Sequence, residues 1–167
     1  MARVLVVEDN SANLDLMVYL LKAFGHTPLS ARDGLEGIAA ARREHPDLIL
    51  CDIQLPGANG VEVCRQLKLD PALRSIPLVA VTAYAMVGDR EKLLAEGFNG
   101  YLSKPINPQT FIADMAPYLP PARVERHVSA TTTNRAPAKG DGATVLVVDN
   151  SSANIKLSRS ILASSEP

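Results

Sequence analysis

Three short runs, Val4–Val7, Leu48–Cys51 and Leu78–Val81, are apolar at every position and stop abruptly on Glu8, Asp52 and Thr82. A strand with one wet face alternates polar and apolar residues. A run apolar at both parities must be covered on both sides, as in a parallel sheet held between two layers of helices. Weaker strand signals lie at Thr27–Ser30 and at Tyr101–Ser103, the latter running into Lys104-Pro105. Helical spacing fills the intervals. A helix opens near Ser11, carries Leu14, Met17, Val18 and Leu21 on one stripe, and ends at Gly25. Asp33 and Glu36 have capping-box spacing, with Leu35, Ile38 and Ala39 as that helix's apolar side. After the turn-rich Leu55–Gly60, residues Val61, Cys64, Leu67 and Lys68 recur at helical spacing until Asp70-Pro71. Arg90–Glu96 reads as a helix closed by Gly97, and Phe111, Ile112, Met115, Tyr118 and Leu119 form a last stripe. Five strands alternating with five helices predict an α/β domain with right-handed crossovers.

That arrangement decides where the chemistry sits. In a parallel sheet all carboxyl ends share one edge, and ligands collect there. Glu8 and Asp9 follow the first strand, Asp52 ends the third, Thr82 the fourth, and Lys104 follows the fifth. Carboxylates brought together resist ionisation unless a cation enters. With no His or Cys beside them the ligand set is oxygen only, which suits Mg²⁺ or Mn²⁺. A lysine and a hydroxyl at the same point supply charge neutralisation and positioning, the needs of phosphoryl transfer, with Asp52 as the natural nucleophile.

Composition narrows the alternatives. The formal net charge of −1 lacks the basic excess of a nucleic-acid surface. With 3 Phe, 4 Tyr and no Trp, the core must be aliphatic. The two cysteines, Cys51 and Cys64, have neither CxxC nor Cys/His spacing and read as reduced, buried thiols. The first residues lack a signal layout, and no apolar run approaches the roughly 20 residues that span a bilayer. A cytoplasmic protein acting neither on nucleic acid nor in a membrane is the expectation. No GxxxxGK[ST] loop supports an ATPase.

The acid pair in VVEDN, then DIQLPGANG, VTAYA and YLSKPI, occur in an order that resembles the receiver domain of two-component response regulators. The resemblance covers residues about 2–119. DIQLP, VAVTAYAM and SKPI are most similar to single-domain cell-cycle receivers and to the first receiver of tandem-receiver diguanylate cyclases. It implies a flavodoxin-like (βα)5 doubly wound sheet of strand order 2-1-3-4-5. It implies that Asp52 accepts a phosphoryl group from a histidine kinase or phosphotransfer protein. Asp9 and Asp52 would bind Mg²⁺ directly, Glu8 through water, and Gln54 through its backbone carbonyl. Thr82, the Ala83 amide and Lys104 would hold phosphoryl oxygens, with Lys104-Pro105 cis. Tyr101 would be the switch aromatic that turns inward with Thr82, while Gln54 and Tyr84 match positions that influence phosphoryl lifetime. A downstream protein or output domain is implied as partner, and a homodimer is compatible. Haloacid-type phosphatases need a second acid two residues after the nucleophile, where this chain has Gln54. A docking module that is never phosphorylated would not need the acid pair, Asp52, Thr82 and Lys104 together.

Domain organisation follows. Residues 1–120 form the receiver, and 121–143, polar and rich in Thr, Ala and Pro, read as a flexible linker. Residues 144–167 begin a second copy: Val145–Asn154 matches Val4–Asn13 at a constant offset. In it Asp149-Asn150 stand where Glu8-Asp9 stand, so one carboxylate has become an amide. The copy holds no phosphoacceptor position and is expected not to be phosphorylated, as part of a longer tandem-receiver protein cut short.

Overall fold

The computed structural model describes residues 1–121 apart from 85 and 87. The linker and second repeat therefore lie outside the described residues. The chain runs β1 (Arg3–Val7), α1 (Ser11–Ala23), β2 (Thr27–Ala31), α2 (Gly34–Glu44), β3 (Leu48–Asp52), α3 (Gly60–Leu69), β4 (Leu78–Thr82), α4 (Asp89–Glu96), β5 (Gly100–Ser103) and α5 (Phe111–Met115). All strand pairs are parallel, in the order β2-β1-β3-β4-β5. This is the flavodoxin-like sheet expected.

Strand parity divides the core into two apolar layers. Val4, Val6, Leu48, Leu50, Val79, Val81 and Leu102 pack with α1 and α5 residues Leu14, Met17, Leu21, Phe111 and Met115. The opposite parity, Leu5, Val7, Ile49, Cys51, Leu78 and Ala80, packs with Ile38, Ala41, Val63, Cys64 and Leu67 from α2 and α3. Burying each Val or Leu in these layers contributes about 1.5–3 kcal/mol, which is why the three wholly apolar runs are the central strands. Both cysteines are free and buried, and burial pushes the Cys64 thiol up to about 11 and the Cys51 thiol higher still.

Two local expectations need correction. The buried face of α2 is Gly34, Gly37, Ile38, Ala40 and Ala41, whereas Leu35 is 66% exposed and Ala39 is exposed. Small residues win that face because the helix lies close to the sheet: a Cβ on Gly37 would stand 2.8 Å from Val7 Cγ2. The Asp33–Glu36 pair also differs from a reciprocal box. Asp33 accepts from the Glu36 N–H at 2.8 Å, but the Glu36 carboxylate takes the N–H of Arg32 at 2.7 Å. At the carboxyl end, α5 is short, and Pro117 sits in a 3-10 turn over Ala116–Tyr118. Proline in a helix interior removes a hydrogen bond and clashes with the preceding turn. Among the described residues no helix is long and apolar enough to cross a membrane.

Candidate functional site

The site forms where β1, β3, β4 and β5 end. The Glu8 N–H donates to the Ala31 carbonyl at 3.0 Å, extending the β1–β2 pairing by one step. That draws the Glu8 side chain inside, 0% exposed, while Asp9 stays at the surface. Asn10 then caps α1, accepting from the Asn13 N–H at 3.1 Å, and its own N–H donates to Glu8 Oε1 at 3.2 Å.

Asp52 ends β3 at 3% exposure. Its Oδ1 accepts from the Gln54 N–H at 2.9 Å, and its Oδ2 accepts from Lys104 Nζ at 2.6 Å. The Lys104 backbone N–H bonds the Thr82 carbonyl at 2.8 Å, and the Lys104-Pro105 peptide is cis. The same ammonium lies 2.8 Å from the buried Glu8 Oε2, so that one lysine is shared between two carboxylates. Burial alone would pull the Lys104 pKa down; hydrogen bonds and charge from Asp52 and Glu8 outweigh it and leave the pKa raised.

Glu8, Asp9 and Asp52 each offer a carboxylate oxygen, all within 4.8 Å of one another. One ammonium cannot balance them. Carboxylates that share one ammonium are costly to bury, and an all-oxygen cluster with excess negative charge fits a hard divalent cation.

Thr82 lies on the same edge, 5% exposed. Its hydroxyl accepts from the Tyr84 N–H at 3.0 Å and lies 3.4 Å from the Tyr84 carbonyl, to which it donates. Ala83 and Tyr84 are exposed. Tyr101 is half-buried beside the α2/α3 layer, and Ala80 is its register partner on β4. The structure thus brings Glu8, Asp9, Asp52 and Lys104 together, with Thr82 beside them and bonded locally. The Gln54 side chain is exposed, and it is the Gln54 backbone that touches Asp52. Asn10 was not singled out from sequence, although its place before Ser11 was a legible capping signal.

Residues 4–116 match the response regulator receiver domain family. Over 116 residues the chain is 48% identical to the polar-differentiation response regulator DivK of Brucella ovis, covering 70% of this chain and 94% of that protein. The chemotaxis protein CheY4 of Vibrio cholerae superposes with a TM-score of 0.68 at 27% identity, covering 71% of this chain and 99% of that one. The receiver domain of a sensor histidine kinase from Pseudomonas aeruginosa, solved with a magnesium ion coordinated in its active site cleft, gives a TM-score of 0.64 at 32% identity, covering 70% of this chain and 96% of that one. On this fold, this ordering of strand-end residues and this match, the chain belongs to the response regulator receiver domain family.

Proposed function

We propose that Asp52 accepts a phosphoryl group from a histidine kinase or phosphotransfer protein in a Mg²⁺-dependent reaction, and that the modification switches a partner-binding surface. The observation that carries this reading is the cluster of Glu8, Asp9 and Asp52 carboxylates, within 4.8 Å of one another and faced, among the described residues, by the one ammonium of Lys104. Residues that serve stability alone seldom gather three carboxylates around one ammonium. The magnesium ion coordinated in the related Pseudomonas receiver supports the choice of cation.

Asp9, Asp52 and the Gln54 carbonyl would hold the cation, and Glu8 would add its negative charge beside it. When bound, the cation neutralises charge on the transferring phosphoryl oxygens. The other work belongs to the chain. The Gln54 N–H fixes Asp52 Oδ1 and so orients the carboxylate. An Asp52 oxygen attacks phosphorus, the bond from phosphorus to the donor's imidazole nitrogen breaks, and the electron pair leaves with that nitrogen. Lys104, Thr82 and the Ala83 N–H hold the phosphoryl oxygens. For Thr82 this means giving up its bonds to Tyr84. Tyr101 turns inward as Thr82 moves, and the change in surface is read by a downstream protein, an output domain or a second copy of the chain. The domain is a switch that catalyses only its own phosphorylation and dephosphorylation. We assign residues 1–120 to this receiver, 121–143 to a linker and 144–167, on their sequence, to a second receiver-like repeat.

The test is intact mass after incubation with acetyl phosphate and Mg²⁺, beside Asp52→Asn. One added phosphoryl group, lost without Mg²⁺ and lost in the variant, is the expected result. No adduct, together with no binding of beryllofluoride, would mean a docking module that is never phosphorylated.

A further inference from the structure

We infer that Gly34 and Gly60 are positioning residues for the cation site, clamping the loop 53–59 from two sides so that Asp52 and the Gln54 peptide stay in place. The inference rests on the reading of the site given above. The chain reverses between the end of β3 at Asp52 and the start of α3 at Gly60. The loop closes on itself, the Gly60 N–H donating to the Ile53 carbonyl at 3.0 Å. From inside it is anchored by Leu55, which is buried in the α2/α3 layer.

A Cβ on Gly60 would collide with the Asp52 carbonyl oxygen and stand 2.8 Å from Ile53 Cα. Both are backbone atoms and cannot rotate away. Gly34, the first residue of α2, meets the other side of the loop. There a Cβ would stand 2.5 Å from the Ala58 carbonyl oxygen and 2.8 Å from Val63 Cγ2. Neither glycine has a left-handed φ, unlike Gly57 in the same loop at +80°. Space, rather than backbone freedom, is what excludes a side chain at Gly34 and Gly60. Alanine is otherwise the better helix former. An alanine at either position therefore pushes the loop without straining its own backbone. At Gly60 the push falls on the Asp52–Ile53 backbone, next to the Gln54 N–H that orients Asp52 Oδ1; at Gly34 it falls on Ala58, at the far end of the same loop.

Coordination chemistry separates such a positioning role from a general loss of stability. Mg²⁺ demands a near-ideal octahedron, whereas Ca²⁺ accepts variable geometry and ligand number. The full chain is titrated calorimetrically with Mg²⁺ alone and with Ca²⁺ alone, as wild type, Gly34→Ala, Gly60→Ala and Gly97→Ala. Gly97 ends α4 with φ +109° and meets Cys64 and Lys68, so its substitution strains the fold away from the loop. Circular dichroism checks folding. Gly34→Ala, whose neighbours include the movable Val63 side chain, is the milder push and carries the test if Gly60→Ala does not fold. Expected is a loss of Mg²⁺ affinity of about tenfold or more in the loop variants. Ca²⁺ affinity falls less, and Gly97→Ala keeps the wild-type ratio of the two ions. Equal losses for both ions, or an unchanged Mg²⁺ affinity, overturn the inference. A wild-type chain that binds neither ion overturns the reading of the site itself, and this inference with it.

Discussion

Two lysines at opposite edges of one sheet meet opposite surroundings. At the amino-terminal edge Lys68 donates to the carbonyls of Arg74 and Ile76 at 3.1 and 3.2 Å and reaches Asn99 Oδ1 at 3.5 Å. Its acceptors are neutral, and burial lowers its pKa. At the carboxyl edge Lys104 faces two buried carboxylates, and its pKa is raised in spite of burial. At the first edge the ammonium is matched by neutral acceptors. The second holds more negative charge than its own residues neutralise. Stability is built at one end of the strands, and electrostatic tension is kept at the other.

The largest effect should come from Lys104→Met. Removing the cation of a buried pair leaves uncompensated charge, and about 3 kcal/mol of stability should be lost in urea melts without divalent ions. Mg²⁺ should then stabilise the variant more than it stabilises the wild type. A loss no greater than that of Lys68→Met would break the contrast between the edges. Lys68→Met should itself cost about 1–2 kcal/mol, since neutral carbonyls lose their donor. Mg²⁺ affinity measured by calorimetry should not change; a shift would mean that the two edges are coupled.

Glu8→Gln sharpens the same point. Removing one crowded carboxylate should alter metal-free stability by less than about 1 kcal/mol, while Mg²⁺ affinity falls. A large metal-free loss would make Glu8 a structural ion-pair partner instead. The smallest effect belongs to the amino-terminal edge. The Arg43 and Arg3 guanidinium groups hydrogen-bond Glu44 and lower its pKa from 4.5. For a carboxyl depressed on folding, the gain is present above the unfolded pKa and lost as pH falls through the folded one. The Arg3 and Arg43 side chains are 44% and 70% exposed, so solvent screens the pairs and Glu44→Gln should only slightly flatten the acid limb of a urea-midpoint profile.

Much of this was legible in the sequence because it depends on strand ends. Wholly apolar runs identify central parallel strands, and the residue at which each run stops must lie on the shared edge, which places Glu8, Asp52 and Thr82 without coordinates. Close approach between backbones was not legible. Gly34, Gly37 and Gly60 look in sequence like turn punctuation or weak helix positions, and only the fold shows that a methyl group has nowhere to go. The same cause misled the reading of α2, where hydrophobicity pointed to Leu35 and Ala39 while proximity to Val7 selected glycine and alanine. Nor could sequence show that the Thr82 hydroxyl is bonded to Tyr84, since that depends on the path of the chain after β4.

Cys51 and Cys64 carry a practical consequence. They are the chain's only cysteines, and the inert thiol form dominates at both because burial opposes ionisation. Maleimide chemistry therefore leaves the native chain largely unmarked. A cysteine introduced at exposed Met86, as Met86→Cys, could carry one dye on an otherwise unaltered protein. A fluorophore there would report on the segment after Thr82 in real time, with no need to remove a native residue from β3.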